Sequence, residues 1–122
     1  MNYIRRISPE TVVAWALGFV VGWFGTNEIL FPADWAVFAP SFLGTGSLVL
    51  SLVVLHGIIL VTCAVLLLAN FHRRIAGGAL ALIFIEIISG LIYGSGLSDI
   101  AVRDIGLCGA SISLALTPSS KL

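Results

Sequence analysis

Residues 35–71, WAVFAPSFLGTGSLVLSLVVLHGIILVTCAVLLLANF, contain no Asp, Glu, Lys or Arg. A membrane crossing takes about 20 apolar residues over a ~30 Å hydrocarbon layer, so this run is too long for one span. Pro40, Gly44 and Gly46 cut it, leaving one helix over about 46–70 with a connection before it. Working outward, charges mark off further runs of the same kind. Residues 11–27 are uncharged and the run continues past Glu28 to Phe31; residues 75–94 carry only Glu86. The last run opens with Asp99, Arg103 and Asp104 and stops at Pro118, Ser119 and Ser120. The pattern predicts an all-α fold: a four-transmembrane-helix bundle with spans at about 11–31, 46–70, 75–94 and 99–117. Together they form a single integral membrane domain. Residues 32–40, bracketed by prolines and carrying Trp35 and Phe38, read as a short interfacial helix between spans one and two, since Trp prefers the headgroup level.

Composition points the same way. The 122 residues are 59% hydrophobic and 10% charged, with no formal net charge, and the mean hydropathy is +1.13. A soluble domain carries roughly 25% charged residues, so this chain cannot coat a water-facing globule. That excludes an ordinary soluble enzyme and a disordered tail. Zero net charge offers no basic field for a phosphate backbone, so nucleic acid is not an expected partner. Two Cys without a CxxC exclude a disulfide scaffold and a thiolate zinc site, and no metal-ligand constellation is visible.

Local signals fix the ends. Ser8-Pro9-Glu10 reads as an N-cap, a first-turn proline and an acid at the positive end of the helix dipole. Residues 71–74 form a polar turn, and residues 95–99 a turn leading to a Ser or Asp cap. Arg5, Arg6, Arg73, Arg74 and Lys121 fall on one side of a four-span chain and Arg103 on the other. The positive-inside rule then puts both termini in the cytoplasm of a multi-pass inner-membrane protein. The first run reads as an uncleaved span, being long for a signal peptide and lacking a small-x-small cleavage site.

Polar groups at membrane depth mark the candidate sites. At ~1.5 Å per residue, Asn27, Glu28, Asp99, Arg103 and Asp104 share one level near the outer face. Glu28–Arg103 is the cross-helix pair this predicts, serving either as structural glue or as part of a ligand site. His56 and Glu86 both fall near the midplane, the first ~15 Å and the second ~16 Å along their spans. They are the second expected pair. Burial favours the neutral acid and a neighbouring imidazolium the carboxylate, so the pair suits either proton exchange or a static lock between two helices. Gly18-x-x-x-Gly22 and Gly90-x-x-x-Gly94 offer small-residue faces for helix packing. Trp15 and Tyr93 fit interfacial belts, and Trp23 is expected in the core. Cys63 and Cys108 lie at depths too different for a bridge. His72 reads as a solvated loop residue.

These elements resemble the DoxX family of small membrane proteins. The resemblance rests on Gly22-Trp23-Phe24-Gly25, Phe31-Pro32-Ala33-Asp34-Trp35 and Phe38-Ala39-Pro40; on Leu66-Leu67-Leu68 with Arg73-Arg74-Ile75-Ala76; and on residues 99–107, DIAVRDIGL. It implies a four-helix membrane bundle and association with redox complexes or with assembly of partner proteins. Relatives include a membrane subunit of thiosulfate:quinone oxidoreductase.

Tiny loops and the absence of a catalytic constellation favour a non-catalytic integral membrane subunit or accessory protein of a larger, redox-linked complex. Its partners would be the lipid bilayer and other integral membrane subunits, or a second copy in a homo-oligomer. Such a subunit needs no intrinsic cofactor. Two alternatives stand beside it. One is a quinone-interacting oxidoreductase subunit using Glu86 and His56 as proton acceptor and donor. The other is a small-molecule carrier.

Overall fold

The computed structural model describes residues 7–39, 41–44 and 46–118. Arg5, Arg6, Pro40, Ser119, Ser120 and Lys121 lie outside the described residues. The chain is all-helical: α1 (Pro9–Leu30), α2 (Pro32–Trp35), α3 (Ser47–Leu68), α4 (Arg73–Ser95) and α5 (Asp99–Leu116), with 3-10 turns at Ala36–Phe38 and Ser41–Leu43 between α2 and α3. Three helices, α1, α3 and α4, are long and apolar enough to cross a membrane. α5, at 18 residues, is shorter and carries Asp99, Arg103 and Asp104.

The helix ends follow the sequence signals. The Ser8 hydroxyl accepts from the Thr11 backbone N–H at 3.2 Å, and Ser98 accepts from Ala101 at 3.3 Å. Each satisfies one of the orphan donors at a helix start, a cap contributing about 1 kcal/mol. α3 is closed by a left-handed Asn70 at φ 57°. The Phe71 N–H reaches back to the Leu66 carbonyl at 2.9 Å, a Schellman-type stop with Asn in place of the usual glycine. Arg73 adds to this cap. Its Nε donates to the Leu67 carbonyl at 3.0 Å and its Nη1 to Thr11 Oγ1 at 3.2 Å. The polar turn therefore hides a buried guanidinium among exposed neighbours, and that contact ties the start of α4 to the start of α1.

α1 packs most extensively on α3 and α4 on α5, while the two pairs meet along a sparser seam. Glycines set both close pairs. A Cβ at Gly25 would lie 2.8 Å from the Gly57 carbonyl oxygen, and one at Gly57 would lie 2.7 Å from the Gly25 carbonyl oxygen. Only hydrogens at both positions let the backbones come this close. Gly18 and Gly22 pack against Leu68 and Ala64 of α3, as their spacing predicts. In the second pair, Gly77 sits against Leu114 and the Ser111 carbonyl. Gly90 and Gly94 differ from expectation: a Cβ at either meets nothing within 4 Å. Among the described residues, neither glycine makes a close helix–helix approach of the kind seen at Gly25 and Gly57.

The core runs from Ala14, Ala76 and Leu114 at the Ser8 end up to Val21, Leu60 and Phe84. Trp23, expected inside, is 63% exposed, because the α1 face turned to α3 is taken by glycines 18, 22 and 25. Tyr93 and Trp15 are exposed, and Cys63 and Cys108 are buried and free.

Candidate functional site

In antiparallel register Gly25 faces Gly57 and Glu28 faces His56. The first two turns of α3, Ser47 to about Val53, therefore overhang the end of α1 by ~10 Å. The chain fills that overhang with α2 and the 3-10 turns, which roof a space instead of packing into it. The result is a cavity of about 490 Å³. Val21, Leu60 and Phe84 form its floor, and Trp35, Phe38, Ala39 and Leu43 form its roof. Glu28, His56, Glu86, Arg103 and Asp104 all line it.

The overhang also corrects the expected pairs. Glu28 does not meet Arg103. Its Oε1 lies 2.9 Å from His56 Nδ1, with Glu28 buried and the His56 side chain 21% exposed. Depth counted from each helix end had separated these two residues, but α3 starts beyond the point where α1 stops. The Gly25–Gly57 approach then brings the neighbouring side chains within hydrogen-bond reach. In the neutral ring this bond holds the proton on Nδ1; in the imidazolium it becomes a charge-assisted pair. His56 Nε2 is buried with no partner among the described residues. An imidazolium would strand an N–H there, and the neutral ring would leave only a lone pair unfilled.

Glu86 does not bond His56 either. It is exposed on the flank of α4 at the cavity rim and has no hydrogen-bond partner among the described residues. α4 is fixed on α5 by close contacts that include Cys108 Sγ on the Ala81 carbonyl at 3.7 Å. Glu86 and His56 therefore line the same cavity without the direct hydrogen bond expected from the sequence, and the His56 ring is bonded to Glu28 instead.

Arg103 pairs with its own neighbour. Nε and Nη2 reach Asp104 Oδ1 at 3.1 and 3.0 Å, and the guanidinium carbon stands 4.7 Å from the centroid of the Phe24 ring. Phe24 meets Trp35 edge-on at 5.5 Å, and Trp35 meets Phe38 at 5.9 Å. Two members of the expected outer cluster lie apart from it. Asn27 Nδ2 donates back to the Trp23 carbonyl at 2.8 Å, and Asp99 is exposed in the first turn of α5.

Members of both expected polar layers, Glu28, Arg103 and Asp104 from one and His56 and Glu86 from the other, thus line the same cavity. Sequence reasoning missed the roof and floor. The signal that could have found them is the pair of glycines at 25 and 57, which sets the stagger of α1 on α3. His72, exposed and left-handed at φ 52° before α4, stays clear of the cavity. Among the described residues no group of three His, Cys, Asp or Glu is placed to hold a metal ion. Comparison with protein-family models, with curated proteins and with solved structures finds no match to this chain.

Proposed function

We propose that this protein is an integral membrane protein that holds a small, mostly apolar molecule with a polar head in the cavity beneath α2. One observation carries the reading: a ~490 Å³ space walled by aliphatic and aromatic side chains, with a few ionisable groups among them. Small-molecule sites have this size and this balance of apolar wall to polar anchor. A buried Glu28–His56 pair in an apolar bundle is costly to maintain and marks a functional position by default. In this reading α5 completes a four-span bundle, its charged first turns facing the cavity, and α2 lies at the outer interface. Both termini sit in the cytoplasm of an inner-membrane protein, in line with the basic residues at the α3–α4 turn.

A second reading, of a non-catalytic subunit in a larger membrane complex, draws on one further observation. Gly94 is exposed on α4, and a Cβ there meets nothing within 4 Å among the described residues. This suits lateral packing against another integral membrane subunit or a second copy, and accords with the DoxX-like motifs. The two readings are compatible, a bound quinone being one neutral occupant such a subunit would take.

The test uses the native membrane. The protein is extracted with its lipid annulus and the small molecules that co-purify are identified by mass spectrometry. Gly90 lines the cavity, and a Cβ added there meets no atom within 4 Å, so Gly90→Leu directs a bulky side chain into the space. The cavity reading expects a molecule retained by the native chain and lost from Gly90→Leu. An identical set from both refutes it.

A further inference from the structure

Resting on the reading of the cavity as a ligand site, we propose that its ligand is an organic monocation with an apolar body, a protonated amine or a quaternary onium ion, with Glu86 as the countercharge.

The first argument is charge. Three carboxylates line the cavity, Glu28, Glu86 and Asp104, against one guanidinium, Arg103, and one imidazole, His56. Asp104 takes both Arg103 contacts, and Glu28 takes His56. Glu86 is left over. With the acids ionised, the lining stays net negative in either protonation state of His56. An unpaired carboxylate in an apolar bundle is expensive, and a cation beside it offsets that cost more strongly than it would in water. An anion would meet the same field as repulsion.

The second argument is the wall. Phe24, Trp35 and Phe38 form a continuous aromatic surface on the cavity. One of these rings already carries a cation, the Arg103 guanidinium 4.7 Å from the Phe24 centroid. Trp, the best cation-π partner, lies next in the row. Aromatic faces with a nearby acid select cationic heads, while the aliphatic floor takes the apolar body. The third argument is access. Glu86 is exposed at the rim of the cavity, so a lipophilic cation dissolved in the bilayer reaches it from the side.

The experiment compares two ions of the same shape and opposite charge, tetraphenylphosphonium and tetraphenylborate. Binding is measured by titration calorimetry on the full chain in phosphatidylcholine nanodiscs, with empty nanodiscs subtracted. The phosphonium is expected to bind saturably and the borate not. Glu86→Gln should weaken phosphonium binding by about tenfold or more, as expected for losing one close ion pair. Gly90→Leu should weaken it as much, and Glu10→Gln, at the far end of α1, should leave it unchanged. Saturable binding of both ions, lost together in Gly90→Leu and indifferent to Glu86→Gln, would overturn the cation assignment and leave the cavity standing. Phosphonium binding untouched by Gly90→Leu would overturn both. No saturable binding of the phosphonium would overturn the cation assignment.

Discussion

Replacing Gly25 or Gly57 by alanine tests whether the α1–α3 approach creates the polar pair. A methyl at Gly25 would lie 2.8 Å from the Gly57 carbonyl oxygen, 2.9 Å from Leu60 Cβ and 3.0 Å from Val61 Cγ2. A methyl at Gly57 would lie 2.7 Å from the Gly25 oxygen and 3.0 Å from Glu28 Cβ. These neighbours are backbone or stiff side chains, so the helices must separate by several tenths of an ångström. Overpacking of this kind costs about 1–3 kcal/mol. The same separation stretches the 2.9 Å Glu28–His56 contact towards the ~3.2 Å limit of a good hydrogen bond. A bond to a charged group contributes about 1.5–3 kcal/mol, and part of that is lost too. Either variant should therefore lose about 2–4 kcal/mol. Gly106→Ala is the control. Its added Cβ meets nothing within 4 Å, so the helix gains up to about 1 kcal/mol from alanine's propensity. Steric trapping in bilayers measures both changes on one scale. Equal, small effects at positions 25, 57 and 106 would refute the close approach and the account of the pair built on it.

Three further outcomes follow from the same contacts. His56→Leu strands the Glu28 carboxylate and should cost about 3 kcal/mol, while the double change Glu28→Leu with His56→Leu should cost much less; additive losses in this cycle would mean the two do not interact. Arg73→Met removes the donor to the Leu67 carbonyl and should cost about 1–3 kcal/mol. Arg73→Lys should recover only part of that loss, because an ammonium does not reproduce the planar fork that spans Leu67 and Thr11, and full recovery in thermal unfolding would count against the cap. For topology, single cysteines at positions 8 and 74, in a chain with Cys63 and Cys108 replaced, should label from the cytoplasm, and those at positions 34 and 98 from outside. Any other partition would contradict the proposed orientation.

The helices were legible in the sequence because the chain is punctuated. Ser8-Pro9 and Ser98-Asp99 are strong local start signals, and the gaps between charges match the length of a crossing. The pairings of the polar groups were not legible, for a geometric reason. Depth along a helix follows from residue count alone. The stagger of one helix against another depends on where two backbones first touch, and the rotation of each about its axis on which face does so. Glu28 and Arg103 do share a level, yet Arg103 is turned onto Phe24 and Asp104. His56 and Glu86 line one cavity, yet Glu86 points to its rim. Gly18 and Gly22 lie against Leu68 and Ala64, whereas a Cβ at Gly90 or Gly94 meets nothing within 4 Å. Spacing alone does not say whether a small-residue face has a partner.

The tightly filled core beneath the cavity has a consequence for traffic. Ala14, Leu17, Leu67, Leu80 and Leu114 are each no more than 2% exposed, so the space under α2 is a cul-de-sac. On the proposed ligand-binding reading, a guest entering from the roof or the rim would leave by the same opening. Carrying cargo to the opposite leaflet would require the bundle to split, and the split has one natural line. The interlocked backbones of α1 with α3, and of α4 with α5, make each pair a stiff jaw, joined to the other along the sparser seam. On the same reading, a bundle whose jaws stay closed would keep or hand over its guest on one side only.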